Sequence, residues 1–272
     1  MRQLPIVQAA VKWIARISAV ALVLLAGPFT LLVSSDVGGV EWWNASREVT
    51  GLAPAPAAHP EALVQVYAAR AFKWRGAFGV HTWVATKPAK ASEYTVYEVI
   101  GWRARRGLSA LAIHHNAPDR QWFGNAPEII AQISGKPAEA AIEKIAVAAA
   151  AYPYKDVYTL WPGPNSNTFT AWVGRAAPEL KLDLPPTAIG KDWLDITAGS
   201  ILAPAPSGTG YQVSLSGLLG VLAGIEEGLE LNIAGLTVGV DPLDLAVKLP
   251  GIGRLGGGRS LTPPSAAETA RR

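Results

Sequence analysis

Ser166, His81 and Glu98 have the chemistry of an acyl-transfer site, provided that the fold brings them together. Ser166 lies in Asn165-Ser166-Asn167-Thr168-Phe169, directly after Trp161-Pro-Gly-Pro164. A serine at a helix start meets free backbone N–H groups and the positive end of the helix dipole, which stabilise a developing oxyanion. A hydroxyl is a poor nucleophile at neutral pH and needs a base. His81 is the candidate base, with Glu98, Tyr97 or His114 to orient its ring. Tyr97 and Glu98 are strand neighbours, and the pairing register decides which of them faces the imidazole. A plainer reading covers the same residues. Asn165 and Ser166 cap the helix, and His81, beside Trp83, is a hydrogen-bonded core group. Asn165, Asn167 and Trp83 are the candidate binding residues around the site.

Other chemistry-bearing clusters have simpler explanations. His114-His115 with Asp119 has metal-binding side chains, but adjacent histidines on a strand or turn point apart, so no metal site and no cofactor is expected. Lys191-Asp192 reads as surface or capping. Ser207-Gly-Thr-Gly210 reads as a turn, since it lacks the lysine and following helix of a phosphate-binding loop.

The elements that must position these residues follow from apolar periodicity. Alternation predicts strands over Ala62 to Ala69, Phe78 to Thr86 and Tyr94 to Trp102, the last two forming a hairpin. It puts Gly79, His81, Trp83 and Ala85 on one face. Helical patches are expected at Pro127 to Ile133 and at Ala138 to Ala151. Tyr152 to Tyr158 is a turn. A helix follows Asn165, with Phe169, Trp172 and Val173 at the spacing of one buried face. Tyr211 to Leu219 and Leu229 to Val240 read as a β-hairpin joined by Gly224 to Gly228, extending the same sheet. No internal repeat is visible.

The amino-terminal segment fixes the setting. Ile17 to Val33 carries no charge over about 17 residues, the lower limit for a helix crossing a bilayer core. Arg2, Lys12 and Arg16 precede it, and Asp36 and Glu41 follow. A positive flank inside and an acidic flank outside place the main domain beyond the cytoplasmic membrane. An uncleaved anchor is favoured over a signal peptide, because nothing near Val33-Ser34-Ser35-Asp36 forms a small-x-small cleavage site. Residues 1–40 are thus a cytoplasmic flank and anchor. Residues 41–60 form a linker, with Trp42 and Trp43 near the membrane surface. Residues 61–255 are an α+β domain and 256–272 a disordered tail. The lipid bilayer is the expected partner of the first helix.

The 272 residues include no cysteine, which excludes disulfides, thiolate metal sites and a catalytic thiol. Half the residues are hydrophobic and 17% charged, which suits a packed core. The net charge of +3 is small for a nucleic-acid binder, and none is expected as a partner.

His81 upstream of the Asn165-Ser166-Asn167-Thr168-Phe169 motif resembles the circularly permuted papain-like proteins, including PPPDE-type peptidases and lecithin:retinol acyltransferase-like proteins. In that superfamily the histidine strand precedes the nucleophile helix, and the motif often reads Asn-Cys-Asn-x-Phe. Asn165, Asn167 and Phe169 match, Tyr158 matches a common upstream feature, and Ser166 stands at the cysteine position. The likeness spans roughly Val64 to Arg175. It implies an antiparallel sheet carrying His81, packed on the Ser166 helix.

Several further stretches resemble a bacterial membrane-protein family known only as a domain of unknown function. They are Val66 to Arg70, His81-Thr82-Trp83, Trp161 to Phe169, Ala188 to Asp192, Pro206 to Gly210 and Lys248 to Arg254. This likeness implies a bacterial membrane protein and assigns no activity; together with the charged flanks it leads to the expectation of a bacterial inner-membrane protein with a periplasmic domain. A hydroxyl in a site tuned for a thiol loses most activity. A binding or structural role in the cell envelope, toward an envelope polymer or peptide, is therefore the leading expectation. A serine-dependent amidase, esterase or acyltransferase using Ser166 and His81 is the alternative.

Overall fold

The computed structural model describes residues 4–34 and 41–257. Helix α1 (Leu4–Ser34) is long and apolar enough, over Gln8–Ser34, to cross a membrane. Pro28 lies inside it, which a membrane helix tolerates. Most of its side chains are exposed, but Leu24, Gly27 and Pro28 are buried against the rest of the chain. A Cβ on Gly27 would fall 2.2 Å from the Pro250 carbonyl, and one on Gly251 would fall 2.6 Å from the Pro28 nitrogen. Two glycines thus let the helix and a turn touch backbone to backbone.

The first sheet has five antiparallel strands in the order β4-β3-β2-β1-β5. They are β1 (Leu63–Arg70), β2 (Val80–Lys87), β3 (Thr95–Val99), β4 (Leu111–His114) and β5 (Glu128–Ser134). The short helix α2 (Gly101–Ala104) follows β3. Helices α3 (Lys136–Ala150) and α4 (Ser166–Ala176) pack on one face, where Val64, Val66, Val84 and Tyr97 meet Ile145, Phe169 and Val173. The other face holds Leu63, Tyr67, Trp83 and Val96, covered by Leu52, Ala53 and Trp122. Both faces are covered, so β1 and β2 are almost wholly buried.

The segment expected to be helical at Pro127 to Ile133 is strand β5. Ile129 and Ile133 are four apart, a helical spacing, but burial runs with period two through Ile129 and Ala131. Pairing with β1 overrides the local pattern. The Tyr94 to Trp102 strand stops at Val99 and turns into α2. The expected linker is stitched to the domain. Asp119 accepts from the backbone N–H of Leu52 at 2.7 Å and of Ala53 at 3.3 Å, and Tyr94 donates to the Pro54 carbonyl.

The carboxy-terminal region is not a hairpin extending that sheet but a second one, a seven-stranded meander ordered β12 to β6. Its strands are β6 (Leu202–Pro204), β7 (Gly210–Leu215), β8 (Leu219–Gly224), β9 (Gly228–Ile233), β10 (Leu236–Asp241), β11 (Ala246–Leu249) and β12 (Gly253–Gly256). Tight turns at Ser216-Gly217 and Ala234-Gly235, all four residues at positive φ, cut each expected long strand in two.

The inner face of the meander is polar. Lys248 Nζ donates to Glu230 Oε1 and Asp183 Oδ1, both at 2.6 Å, and Lys191 pairs with the other oxygen of Glu230. Burial opposes ionisation of Glu230, but Lys191 and Lys248 hold its pKa below the usual carboxylate range. Lys191-Asp192, expected at the surface, is buried in this network, where Asn232 donates to Asp192 at 2.8 Å. Ser207 is also buried and donates to Glu227. The expected tail, 256–272, lies outside the described residues beyond Gly257.

Candidate functional site

Strand register answers which residue orients His81. The pairs Val84↔Tyr97 and Ala85↔Val96 join β2 to β3. Carried one residue further, this register sets Glu98 across from Trp83, on the His81 face. Tyr97 lies on the opposite face, in the core under α3 and α4. Val96↔His114 on β4 brings His114 to the Glu98 face.

The result is a bonded chain of side chains. His81 Nε2 lies 3.3 Å from Glu98 Oε2, and His114 Nε2 lies 2.7 Å from Glu98 Oε1. Asn116 donates to His114 Nδ1 at 3.0 Å. Burial opposes the charge on Glu98, but the hydrogen bonds from His114 and His81 prevail and lower its pKa to about 2. The His81 ring stacks on Trp122 with centroids 3.6 Å apart, and Trp83 stacks on Tyr67 at 5.4 Å. Trp83 Nε1 donates to the Pro118 carbonyl at 2.7 Å. Packing and hydrogen bonds therefore hold Trp83 and His81 in place. His115 turns the other way, toward Glu93 and Thr95, as a strand neighbour must.

Helix α4 is fixed as firmly. Asn165 Oδ1 accepts from the N–H groups of Asn167 and Thr168, and the Asn165 N–H donates to Thr168 Oγ1, a complete capping box. Asn165 Nδ2 donates to the Leu160 and Ile189 carbonyls. Gly190 permits this approach: its φ is +98°, and a Cβ there would fall 2.4 Å from Asn165 Nδ2. Asn167 Nδ2 donates to the Val80 and Ile189 carbonyls, and its Oδ1 accepts from Thr82 at 2.9 Å. Asn167 thus ties the helix to β2, and both asparagines tie it to the Ile189 carbonyl. Ser166 is the exception in this motif. It is buried, and its hydroxyl makes no hydrogen bond among the described residues.

Ser166, His81, Glu98 and His114 line one open cavity of about 1740 Å³. No hydrogen bond joins Ser166 to His81. Thr82, the next residue on β2, bonds Asn167 and Thr170 of α4, so alternation turns His81 to the other face of the sheet.

Sequence reasoning passed over the rest of the cavity. Arg47, Arg75, Arg103, Arg105, Arg106 and Arg120 line it, against Glu98 and Asp156 as the lining carboxylates. None of these arginines is in an ion pair among the described residues. Arg47, Arg75 and Arg106 instead lie over the rings of Phe123, Trp74 and Trp102, 4.7 to 5.2 Å from their centroids. The signal was the dense Gly101-Trp-Arg-Ala-Arg-Arg106 run after β3. Phe72, Phe78 and Trp42 add to the apolar wall. The turn at residues 73–77, which supplies Trp74 and Arg75, packs against α1.

No curated protein and no solved structure matches the chain. Residues 61–193, which hold the five-stranded sheet, helices α3 and α4 and the His81–Glu98–His114 cluster, match the family model described as Protein of unknown function (DUF3750).

Proposed function

We propose that this protein is a membrane-anchored binding module of the cell envelope whose cavity takes an amphiphile with an anionic head. Lys12 and Arg16, ahead of the uncharged stretch of α1, with Arg2 before the helix, support placing the domain on the extracytoplasmic side. One observation carries the ligand class: a large cavity walled by aromatic rings and bordered by six arginines, none in an ion pair among the described residues. Guanidinium groups suit phosphate and carboxylate oxygens, and the rings suit an alkyl or aromatic body. The contact between α1 and the Trp74–Arg75 turn sets one wall of the cavity beside the membrane helix, which suits a ligand that partitions into lipid.

The permuted papain-like reading supports a second role, as a serine-dependent acyl-transfer enzyme. Ser166 Oγ and His81 Nδ1 both lack hydrogen-bond partners among the described residues and line the same cavity. The absence of a Ser166–His81 hydrogen bond favours binding over this reading.

The full chain in phosphatidylcholine nanodiscs, titrated with hexyl phosphate and read by tryptophan fluorescence, tests the proposal. Saturable binding is expected, with hexyl glucoside binding weakly. Arg103→Ala/Arg105→Ala should weaken hexyl phosphate about tenfold, the worth of one charge-assisted hydrogen bond. Ser166→Ala should leave affinity unchanged. Equal affinity for the two probes would refute the anionic class. Labelling of Ser166 by a fluorophosphonate, lost in His81→Ala, would replace binding with catalysis.

A further inference from the structure

The meander is built inside out. Its inner positions carry Gln212, Ser214, Glu230, Asn232, Thr237 and Lys248, all buried. Its outer positions are apolar, and register lines them up in rows. Val213 pairs with Val221 and Val221 with Leu231, while Tyr211 aligns through Ala223 with Leu229. Tyr211 is 66% exposed, Leu229 53%, Val213 50%, Val221 48% and Leu231 38%. No outward position of β7, β8 or β9 is charged. A contiguous apolar face of this extent marks an interaction site.

We infer that two copies of this chain pack these faces together as a two-fold sandwich. Seven strands averaging five residues span on the order of 550 Å², so two faces in contact bury on the order of 1100 Å², above the roughly 1000 Å² that a specific interface should clear. The face suits a partner of its own kind, because aligned sheets interdigitate apolar side chains about 10 Å apart and homodimer interfaces are the more apolar class. A two-fold axis makes one patch self-complementary. Lipid is the poorer occupant, since it would have to accept the open edges of β6 and β12, and hydrocarbon does not tolerate unpaired strand edges. Helix α1 touches the β11–β12 turn and packs against β10, yet Val240, Val247 and Leu255 on that side stay exposed, as do the outward residues of β7 to β9. Two such anchors in one bilayer also hold the faces at raised effective concentration.

The test uses the cysteine-free background. Full-length Leu231→Cys, reconstituted in phosphatidylcholine vesicles and treated with a short bismaleimide, should give a species of twice the chain mass. Glu143→Cys, on the exposed side of α3, should give none. The unmodified chain in nanodiscs should contain two copies, and Val221→Asp should halve that number with an unchanged circular dichroism spectrum. One copy per nanodisc for the unmodified chain, together with no cross-link at Leu231, overturns the inference. So does quenching of a fluorophore at Leu231→Cys by brominated lipid, which would put the face against the bilayer.

Discussion

Glu98 is the residue on which the candidate site turns. It accepts from His81 and His114 at once, and this holds its pKa near 2 despite burial. A folded-state pKa below the unfolded value means that folding is favoured by the ionised form. That contribution is complete above about pH 4.5 and is lost as the pH falls toward 2. Glu98→Gln should therefore lower stability at pH 7 by about 1–3 kcal/mol and flatten the fall in stability between pH 4.5 and 2. Urea denaturation across that range measures both, and an unchanged slope would show that Glu98 is not the group responsible. The candidates His81, Glu98, His114 and Ser166 were legible from residue type and strand alternation. Choosing Glu98 over Tyr97 was not, because a one-residue shift in register exchanges the two faces. Trp122 was also hidden, since it comes from a loop and reaches His81 only through the tertiary fold.

At the scale of elements, the two sheets are held by opposite means. The first buries apolar faces under α3, α4 and the Trp122 loop. The second turns its polar face inward, where Lys248 is fully buried among Glu230, Asp183 and the Glu227 carbonyl. Removing one member of a buried ion cluster leaves an uncompensated charge, which costs more than the cluster itself contributes. Lys248→Met should destabilise the protein by about 3–5 kcal/mol. Chemical denaturation measures this, and a loss below about 1 kcal/mol would show that the charges do not tie the meander down. The inverted pattern also explains why sequence reading fused these strands. Leucine and valine on an outward face look like core, so Tyr211 to Leu219 and Leu229 to Val240 read as two long strands. The Ser-Gly and Ala-Gly turns were the better signal. By contrast, α4 was legible from Asn165 at its start and from Phe169, Trp172 and Val173 at helical spacing, while the part of Thr168 in its capping box was not read.

At the scale of the whole molecule, three bodies meet: the apolar helix, the sheet that carries the site, and the meander. The uncharged stretch of the helix, Ile17 to Val33, was legible from composition alone, whereas its start at Leu4, ahead of Lys12 and Arg16, was not. Its docking was not, because it depends on Gly27 meeting Gly251 across more than two hundred residues. That contact matters for the cavity. Arg70 donates to the Gly251 carbonyl at 2.6 Å and to the Gly76 carbonyl at 3.1 Å, which ties the helix-contacting turn to the turn bearing Trp74 and Arg75. Gly27→Leu would drive a side chain into the Pro250 carbonyl and Ile252, and neither can retreat without moving this assembly. In nanodiscs the variant should show faster hydrogen exchange at residues 73–79 and 250–253, while α4 and β1 exchange as before. Its stability should fall by about 1–3 kcal/mol, the usual cost of overpacking. If exchange in those two turns is unchanged, α1 is a tether and nothing more. If it rises, α1 supports the turn that supplies Trp74 and Arg75 to the cavity, and a single glycine contact holds that support in place.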